Sequence, residues 1–348
     1  MLTDNPTIKP IWKDQKHGYE EALNYLKGRK IGNIRSILSP WEKFNDATTN
    51  GLEWHSMTVI AGRPGSGKTL MKDQFIREAF PLNPSEDFRV LEFPLEMLTR
   101  TTAIRQFSSH LGKTYKHLCS ADTDEKGELT TLSTDDLISC FEFSKRQVKY
   151  PINIVEVPVS VPEFKAQISA YMDTHMTIEE VENKVGAKSK KPKYQNTIVT
   201  LDHSLLLKKS KWHGGKSDML YDLGEALTEL KRKYPIAFII LSQLNRNIDR
   251  PERNEDAKYG NYILESDIFG ADALLQHADN VIGLNRPGKN KIRLYGPDKY
   301  IIEDEFTLVM HFLKCRNGDT RMSFFKAAFA QMKIEDMDTP PLASKPSN

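Results

Sequence analysis

The sequence predicts an α/β fold with a mostly parallel central sheet flanked by helices. Short apolar, β-branched runs recur along the chain, and helical patterns separate them. Strands that alternate with helices are joined by crossovers, which build a parallel sheet covered on both faces. Several runs lack the alternation of a half-exposed strand, so we expect them to be fully buried. The predicted strands are 57–62, 88–93, 152–157, 197–202, 237–243, 280–285 and 308–314.

The first element is a short amphipathic helix at 17–32, which follows a loosely ordered stretch at 1–15. Tyr19, Leu23 and Leu26 fall on one stripe of this helix. The stripe needs an apolar partner surface, either this chain's own core or that of a neighbouring copy. We expect the neighbouring copy to provide this surface, because the helix precedes the α/β region. The expected organisation is an arm with its helix at 1–34, one α/β domain at 35–333 and a disordered tail at 334–348.

A glycine-rich turn connects the strand at 57–62 to a helical pattern at 69–80. Its glycines allow backbone N–H groups to approach phosphate oxygens, and the helix N-terminus adds its dipole. We expect Lys68 to reach the β- and γ-phosphates, and Thr69 to ligate Mg²⁺ through its hydroxyl. The turn matches the phosphate-binding pattern G-x-x-x-x-G-K-[ST] in full with Gly62, Arg63, Pro64, Gly65, Ser66, Gly67, Lys68 and Thr69.

Acidic residues at the ends of two predicted strands are candidates to complete this site. Asp202 ends the strand at 197–202, which we expect beside the strand that enters the phosphate loop. It would be a second metal ligand; alternatively, it caps the following turn. Glu96 lies beyond the strand at 88–93, where ligands of such sheets gather, and is a candidate general base or a plain surface acid. Glu92 is expected within the strand or facing solvent.

Two polar segments interrupt the pattern. The stretch at 182–196 is basic and weakly patterned, and we expect a surface loop there. The stretch at 244–266 is long and polar, and a loop of that length in a compact domain is usually functional or mobile.

Composition limits the class of protein. Lys and Arg total 49 and Asp and Glu total 47, a balance that neither requires nor excludes a polyanionic partner. No window holds 18 uninterrupted apolar residues, and the N-terminus has no apolar signal core. Cys119, Cys140 and Cys315 are scattered and fit neither a metal site nor a disulfide framework. We therefore expect a protein of the reducing cytoplasm, without a membrane partner.

The order of these segments resembles the RecA-like motor domain of DnaB-like replicative helicases. The resemblance covers about residues 17–330 and rests on the phosphate loop, PLEM, the strand ending at Asp202, LSQLNR, QHADNVIGLNR and KCRNG. The phosphate loop is generic, whereas LSQLNR and the late Lys-x-Arg-x-Gly are more specific. The resemblance implies a RecA-like P-loop NTPase preceded by a linker helix, with ATP and Mg²⁺ as cofactors.

The resemblance also implies roles for residues around the nucleotide. Glu96 in PLEM matches the catalytic glutamate that activates water, and Arg105 matches an arginine of the same motif near the nucleotide. Asp202 matches the Walker B aspartate. Gln243 matches the glutamine that senses the γ-phosphate and links it to the DNA-facing loop.

Lys314 and Arg316 match a pair that crosses a subunit boundary to the neighbour's γ-phosphate. Residues two apart on a strand point to the same side, so the two would form one cationic face. A guanidinium supplied in trans neutralises charge that develops in the transition state. Without the family pattern, both would be interpreted as ordinary strand-face cations. With the linker helix, this pair implies a homo-oligomeric ring, a hexamer.

Two departures from the family pattern affect the expected partners. The first departure is that only about 30 residues precede the motor domain, so we expect the N-terminal collar domain of the family to be absent. We therefore expect no primase recruitment through that domain. A phage- or plasmid-type helicase would suit this size. The DNA-facing loop has Phe269, Gly270, Ala271 and Asp272 where the family has Arg, Glu, Ser and Gly.

Contacts to a single strand are therefore expected from other side chains. An aromatic ring such as Phe269 can stack on bases. Nearby cations either bind the strand or belong to a solvated surface loop; they are Arg246, Arg250, Arg253, Lys289, Lys291 and Arg293.

These features favour an ATP-dependent replicative helicase that forms a ring, translocates on single-stranded DNA in the 5′ to 3′ direction and unwinds duplex at the fork. Its expected partners are single-stranded or forked DNA, further copies of the chain, and a primase or loader, in the cytoplasm of a bacterium or phage-infected host. One alternative is a recombinase-like filament that binds single strands without unwinding. Another is a nucleotide-dependent loader or regulatory partner of a helicase.

Overall fold

The chain divides into two units, Met1–Ser36 and Ile37–Asn348. The computed structural model describes residue 12 and residues 14–120, 132–182, 188–254 and 260–344 of the 348 in the sequence. Its helices are α1 (Gln15–Lys30), α2 (Glu42–Ala47), α3 (Lys68–Leu82), α4 (Thr99–Leu111), α5 (Tyr115–Cys119), α6 (Thr134–Gln147), α7 (Val161–Thr174), α8 (Lys216–Lys233), α9 (Pro251–Asn254) and α10 (Ala271–Leu275). Its strands are β1 (Ser56–Gly62), β2 (Phe88–Pro94), β3 (Ile152–Ile154), β4 (Thr177–Glu182), β5 (Lys188–Lys193), β6 (Asn196–Asp202), β7 (Ile236–Gln243), β8 (Asn280–Asn285), β9 (Leu294–Tyr295), β10 (Tyr300–Ile301), β11 (Thr307–Cys315), β12 (Arg321–Ala328) and β13 (Lys333–Asp336).

In the first unit, the predicted amphipathic helix is present as α1. Asp14 caps its N-terminus by accepting a hydrogen bond from Lys16 N at 3.2 Å. The side chains of Tyr19, Leu23 and Leu26 are exposed. The expected loose order of residues 1–15 falls mostly on residues outside the described part.

In the second unit, nine strands form one sheet in the order β13-β12-β11-β8-β1-β7-β6-β2-β3. The strands from β8 to β3 in this order are parallel, whereas β11, β12 and β13 each pair antiparallel to their neighbour. This arrangement confirms the predicted α/β class and each of the seven predicted strands, of which 152–157 is shorter than predicted. Neither β12 nor β13 was predicted.

Helices cover both faces of the sheet, as crossover connections require. Along β1, Met57, Val59 and Ala61 point into a core formed with α7 and α8. Ile60 points into the opposite core, formed with α2 and α3. The central strands β1, β6 and β7 are buried almost throughout, which explains their unbroken apolar sequences. Within the described ranges, no helix combines the length and apolar character needed to cross a bilayer.

The expected surface loop at 182–196 is wrong over 188–193. Those residues form β5, which pairs antiparallel with β4 in an exposed hairpin. Opposite charges face each other across the pair: Glu179 binds Lys193, and Glu180 lies 4.0 Å from Lys188. Such cross-strand pairs stabilise a hairpin with few apolar residues, which is why hydrophobic patterning missed it. The expectation for 183–187 lies outside the described residues.

The expected disorder at 334–348 also differs from the structure. β13 is part of the sheet, and the main-chain oxygen of Ile334 accepts a hydrogen bond from the buried Trp41 indole at 3.0 Å. Farther along, Ile301 N donates to Leu342 O at 2.9 Å and Ser344 N donates to Lys299 O at 3.1 Å. The order of 334–344 therefore comes mainly from backbone pairing with distant segments. Residues 345–348 lie outside the described part.

Candidate nucleotide site

The carboxyl ends of four parallel strands bring the predicted site residues together. Gly62 at the end of β1 is paired with Gln243 at the end of β7. Asp202 ends β6, and its main-chain oxygen accepts a hydrogen bond from Glu96 N at 3.1 Å, just beyond β2. The expectation that Asp202's strand lies beside β1 is wrong, because β7 lies between β1 and β6.

The phosphate loop wraps around its own lysine. Gly65 and Gly67 have φ values of +73° and +101°, a conformation that glycine adopts without strain. Gly67 is the N-cap of α3, so the first helical N–H groups face the loop. Lys68 Nζ donates to Gly62 O at 2.8 Å and to Arg63 O at 3.3 Å. The loop thus brings an ammonium group together with the N–H donors at the start of α3, as a triphosphate requires.

Two carboxylates lie near this ammonium. Burial lowers the pKa of Lys68, while the charges of Asp202 and Glu96 act in the opposite direction. Asp202 is 2% exposed, and its Oδ1 has no hydrogen-bond partner among the described residues. A buried carboxylate oxygen without a donor suits a cation, and Mg²⁺ prefers oxygen ligands. Asp202 together with the hydroxyl of Thr69 therefore fits the chemistry of a magnesium site.

A short chain of contacts runs from the site to the segment after β7. Gln243 Nε2 lies 3.2 Å from His203 Nε2, so the amide donates to the imidazole. Burial lowers the pKa of His203, which favours the neutral, accepting ring. The main-chain oxygen of Gln243 accepts a hydrogen bond from Phe269 N at 2.8 Å. Gln243 therefore connects the end of β1 to Phe269.

Arg63 makes a second connection from the phosphate loop. Its guanidinium pairs with Asp249 and lies 3.5 Å from Leu244 O. Both partners belong to the long polar segment predicted at 244–266. Arg63 therefore connects the phosphate loop directly to this segment, so a shift of the loop would be transmitted to it.

The sequence analysis missed two groups at the opposite side of the phosphate loop. Arg286 Nη1 donates to Gly65 O at 3.2 Å, and its guanidinium lies 3.4 Å from the centre of the Phe329 ring. The Phe329 ring also packs closely against Gly67: a Cβ atom, which glycine lacks, would lie 3.1 Å from the ring at this position. Lys289, predicted to bind DNA, lies beside the loop, with Nζ 2.4 Å from where a Cβ on Gly65 would stand. These groups form a cationic and aromatic wall that no local pattern could reveal.

Beneath the loop lies a buried charged cluster that the sequence analysis also missed. Lys72 Nζ lies 2.7 Å from Asp73 Oδ1 and 3.1 Å from Glu92 Oε2, and Thr200 lies 3.4 Å from the same Glu92 oxygen. Burial alone would lower the pKa of Lys72, but the two carboxylates outweigh it and raise the pKa. Glu92 is therefore in the strand, as predicted, and buried rather than facing solvent.

Lys314 and Arg316 lie at the other end of the sheet. Because β11 runs antiparallel to β8, Cys315 pairs with Asn280, where β8 begins. Arg316 Nη1 lies 3.0 Å from Asp279 Oδ1, and Lys314 Nζ donates to Leu275 O. Burial lowers the pKa of Lys314, and the nearby Arg316 charge lowers it further, so the two cations form one group. That group is remote from the phosphate loop of its own chain.

The remaining predicted residues are dispersed. Arg246 and Arg250 are exposed in the segment after β7. Arg253 is paired with Asp267 at 2.8 and 3.1 Å, a bidentate contact that shapes that segment. Arg105 is half-buried on α4.

Known proteins with similar sequences and folds agree with this architecture. The family model described as DnaB-like helicase C terminal domain matches residues 38–334. A replicative DNA helicase DnaB of Leifsonia xyli subsp. xyli is 25% identical over 298 residues, which are 85% of this chain and 55% of that protein. A replicative DNA helicase DnaB of Helicobacter pylori is 24% identical over 241 residues, covering 69% of this chain and 42% of that protein. The chain thus spans about half the length of these curated relatives.

Two solved structures share the fold. The ATPase domain of G40P superposes with a TM-score of 0.70 at 17% identity, covering 92% of this chain and 98% of that one. The structure of a DnaB-like replicative helicase and its interactions with primase gives a TM-score of 0.68 at 16% identity, covering 95% of this chain and 68% of that one.

Proposed function

Because the chain belongs to the family of DnaB-like helicase C-terminal domains, we propose that it is an ATP-driven helicase motor that forms a ring, translocates on single-stranded DNA and unwinds duplex at a replication fork. The observation that carries this proposal is that the predicted catalytic residues lie at two opposite ends of the sheet. Lys68, Asp202 and Glu96 meet at one end, and Arg316 lies at the other.

Within one protomer, the residues present can bind and orient a nucleotide. The phosphate loop and Lys68 would hold the β- and γ-phosphates, and Arg286 with Phe329 would support the loop from one side. Thr69 and Asp202 would hold Mg²⁺, which neutralises charge on the transferring phosphoryl group. Glu96 is exposed and next to Asp202, so it can orient the attacking water and accept its proton.

Arg316 is the member of the proposed set that cannot reach the γ-phosphate of its own nucleotide. Asp279 Oδ2 accepts a hydrogen bond from Met57 N at 2.8 Å, which places Arg316 at the start of β1. Gly62 is five residues farther along that strand, a distance of roughly 16 Å. Arg316 is half-exposed and can serve a second copy of the chain instead. Head-to-tail contacts of this kind generate rings when the rotation between subunits closes, and we propose that it does here.

The proposed coupling to DNA uses the contacts described above. Loss of the γ-phosphate would change the surroundings of Gln243 and Arg63, and both are tied to the segment between β7 and α10. A strand held by that segment would be moved once per hydrolysis event. We propose translocation in the 5′ to 3′ direction, and a primase or loader as a partner.

The shared site is tested by mixing two inactive variants. Lys68→Ala removes the phosphate-binding ammonium, and Arg316→Ala removes the cation offered to the neighbour. We expect each variant alone to lose at least about 10³-fold in ATP turnover. Mixed rings contain interfaces with both residues intact, so the mixture should regain part of the activity. An unrescued mixture whose rings exchange subunits, as seen by energy transfer between labelled protomers, would show that the site is not shared.

DNA coupling is tested on the wild-type protein. We expect closed rings in electron micrographs with ATP and Mg²⁺, ATP turnover stimulated by single-stranded DNA, and strand displacement on forked duplexes. Helical filaments without displacement would instead indicate a recombinase-like assembly. Turnover that single-stranded DNA does not stimulate would indicate a loader or regulatory partner.

A further inference from the structure

An exposed tryptophan stands in a lysine-rich loop on the nucleotide edge of the sheet. The loop at 208–216 follows β6 and precedes α8, and it reads KKSKWHGGK. The side chain of Trp212 is 68% exposed, and Lys208, Lys209 and Lys211 are exposed around it. What sets this side chain apart from other exposed apolar residues is its position among lysines, because an aromatic ring beside cations suits a polyanionic partner that carries aromatic bases.

Polar contacts hold the indole in one orientation. Trp212 Nε1 donates to Asp222 Oδ2 at 3.1 Å, and His213 Nε2 donates to the same oxygen at 2.6 Å. His213 Nδ1 accepts a hydrogen bond from Ser210 N at 2.9 Å, so its side chain is fixed at both nitrogens. The His213 ring also meets the indole in a T-shaped contact, with 5.5 Å between the ring centres. These contacts fix the indole while most of its surface stays exposed.

The backbone of the loop is fastened as well. Lys216 Nζ donates to the main-chain oxygens of Leu205 and Leu207. Asp218 accepts hydrogen bonds from Gly214 N at 2.9 Å and Gly215 N at 3.3 Å. The loop therefore presents its ring and lysines in a fixed arrangement, which reduces the entropy lost when a partner binds.

The loop belongs to the same edge as the segment linked to Gln243. It leaves the carboxyl end of β6, and the segment with Phe269 leaves that of β7. Leu220, in the second turn of α8, packs against Gly270, with its Cδ1 2.4 Å from where a Cβ on Gly270 would stand. The tryptophan loop and the Phe269 segment are thus joined through α8.

We propose that Trp212 is a stacking platform for a base of single-stranded DNA, and that Lys209 and Lys211 on either side of it bind the flanking phosphates. This proposal rests on the proposed function and adds to it a contact site outside the residues predicted from the sequence. An aromatic face between cations is the chemistry that holds single strands without base specificity. A purely apolar partner surface would provide no negative charge opposite Lys209 and Lys211, whereas the phosphates of a single strand would.

The test measures binding of a fluorescein-labelled dT₂₀ strand to the full chain with a non-hydrolysable ATP analogue. Removing one stacked base contact costs about 1–3 kcal/mol, so Trp212→Ala should raise the Kd about tenfold. Trp212→Phe keeps an aromatic face and should stay within about threefold of wild type. The matched control is Phe306→Ala, another exposed aromatic residue, which should not change the Kd.

Tryptophan fluorescence provides a second readout. The chain has four tryptophans: Trp41 is buried, Trp54 is half-buried, and Trp12 and Trp212 are exposed. In a Trp12→Phe background, dT₂₀ should quench the emission, and adding Trp212→Phe should abolish that quenching.

The two lysines are tested by the salt dependence of binding. Lys209→Ala and Lys211→Ala should each reduce the slope of log Kd against log salt by about 0.7.

The outcomes separate this proposal from the proposed function. If wild type binds dT₂₀ and Trp212→Ala binds it equally well, the stacking role is wrong and the helicase proposal stands. If Trp212→Ala loses the ring assembly seen in wild type, Trp212 is a subunit contact and the stacking role is also wrong. If wild type does not bind dT₂₀ at all, the proposed function itself fails.

Discussion

At the scale of single residues, the least expected feature is a fully buried lysine under the phosphate loop. Lys72 is 1% exposed and lies between Asp73 and Glu92 on two different elements. Burial raises the pKa of Asp73, because a charged carboxylate is poorly solvated there. One cation thus compensates two acids in the layer that supports the nucleotide site.

Lys72→Met should strongly destabilise the fold. The variant leaves buried acids without their counter-charge, a loss of about 3–5 kcal/mol. The measurement is the urea midpoint at pH 7 without nucleotide. Lys145→Met is the matched control, because Lys145 pairs with Glu142 on the surface at 2.8 Å and its removal should cost less than about 1 kcal/mol. Equal midpoints for the two variants would contradict this account.

At the scale of elements, β11 joins the antiparallel part of the sheet to Lys314 and Arg316 at its end. His311 in the middle of this strand is buried, and its Nε2 accepts a hydrogen bond from Tyr295 at 2.6 Å. Burial lowers the pKa of His311 from 6.5 to about 3. The folded chain therefore keeps this imidazole neutral at a pH where the unfolded chain protonates it.

Stability should consequently fall on acidification below pH 6.5. Between that pH and about 3, the unfolded state binds a proton at His311 that the folded state does not, so stability rises with pH. The loss between pH 7 and pH 5 is about 2 kcal/mol from this residue. Urea unfolding at the two pH values measures it, with His311→Gln as the comparison. If His311→Gln shows the same drop as wild type, the histidine is not the cause.

At the scale of the whole molecule, the proposed function requires more than one copy of the chain. Arg316 faces away from its own phosphate loop, and α1 carries exposed apolar side chains in a protein whose other unit buries its own hydrophobic clusters. We propose that α1 docks on an adjacent copy, as the linker-helix prediction states. One assembly would then bring Arg316 to the phosphate loop of a neighbouring copy and also cover the apolar side chains of α1.

Leu23→Asp tests this docking. Placing a charge in an apolar contact should weaken assembly about tenfold or more in protein concentration, because burying a leucine contributes about 1.5–3 kcal/mol. Light scattering with ATP analogue across a dilution series measures the effect. Leu342→Asp, also at an exposed leucine, is the control and should assemble as wild type does. Assembly of Leu23→Asp at wild-type concentrations would show that α1 does not contribute to it.

Much of the fold follows from short stretches of sequence. Each predicted strand is a contiguous apolar run, and the phosphate loop is a contiguous motif, so neighbouring residues carry all the information needed. Asp202 and Glu96 could be placed at one edge because carboxyl ends of parallel strands share an edge. The β4–β5 hairpin was missed because it is held by cross-strand charge pairs rather than by an apolar face.

The sequence by itself determined the α/β class, the phosphate loop and the acids that accompany it, since these depend on local periodicity and on motif spacing. Only the tertiary structure decided that β7 separates β1 from β6, that Arg286 and Phe329 stand beside the phosphate loop, and that Arg316 lies at the opposite end of the sheet. The physical reason is that these relations arise from contacts between residues far apart in the chain. Such contacts depend on which strands pair and in which direction, and no local pattern encodes that choice.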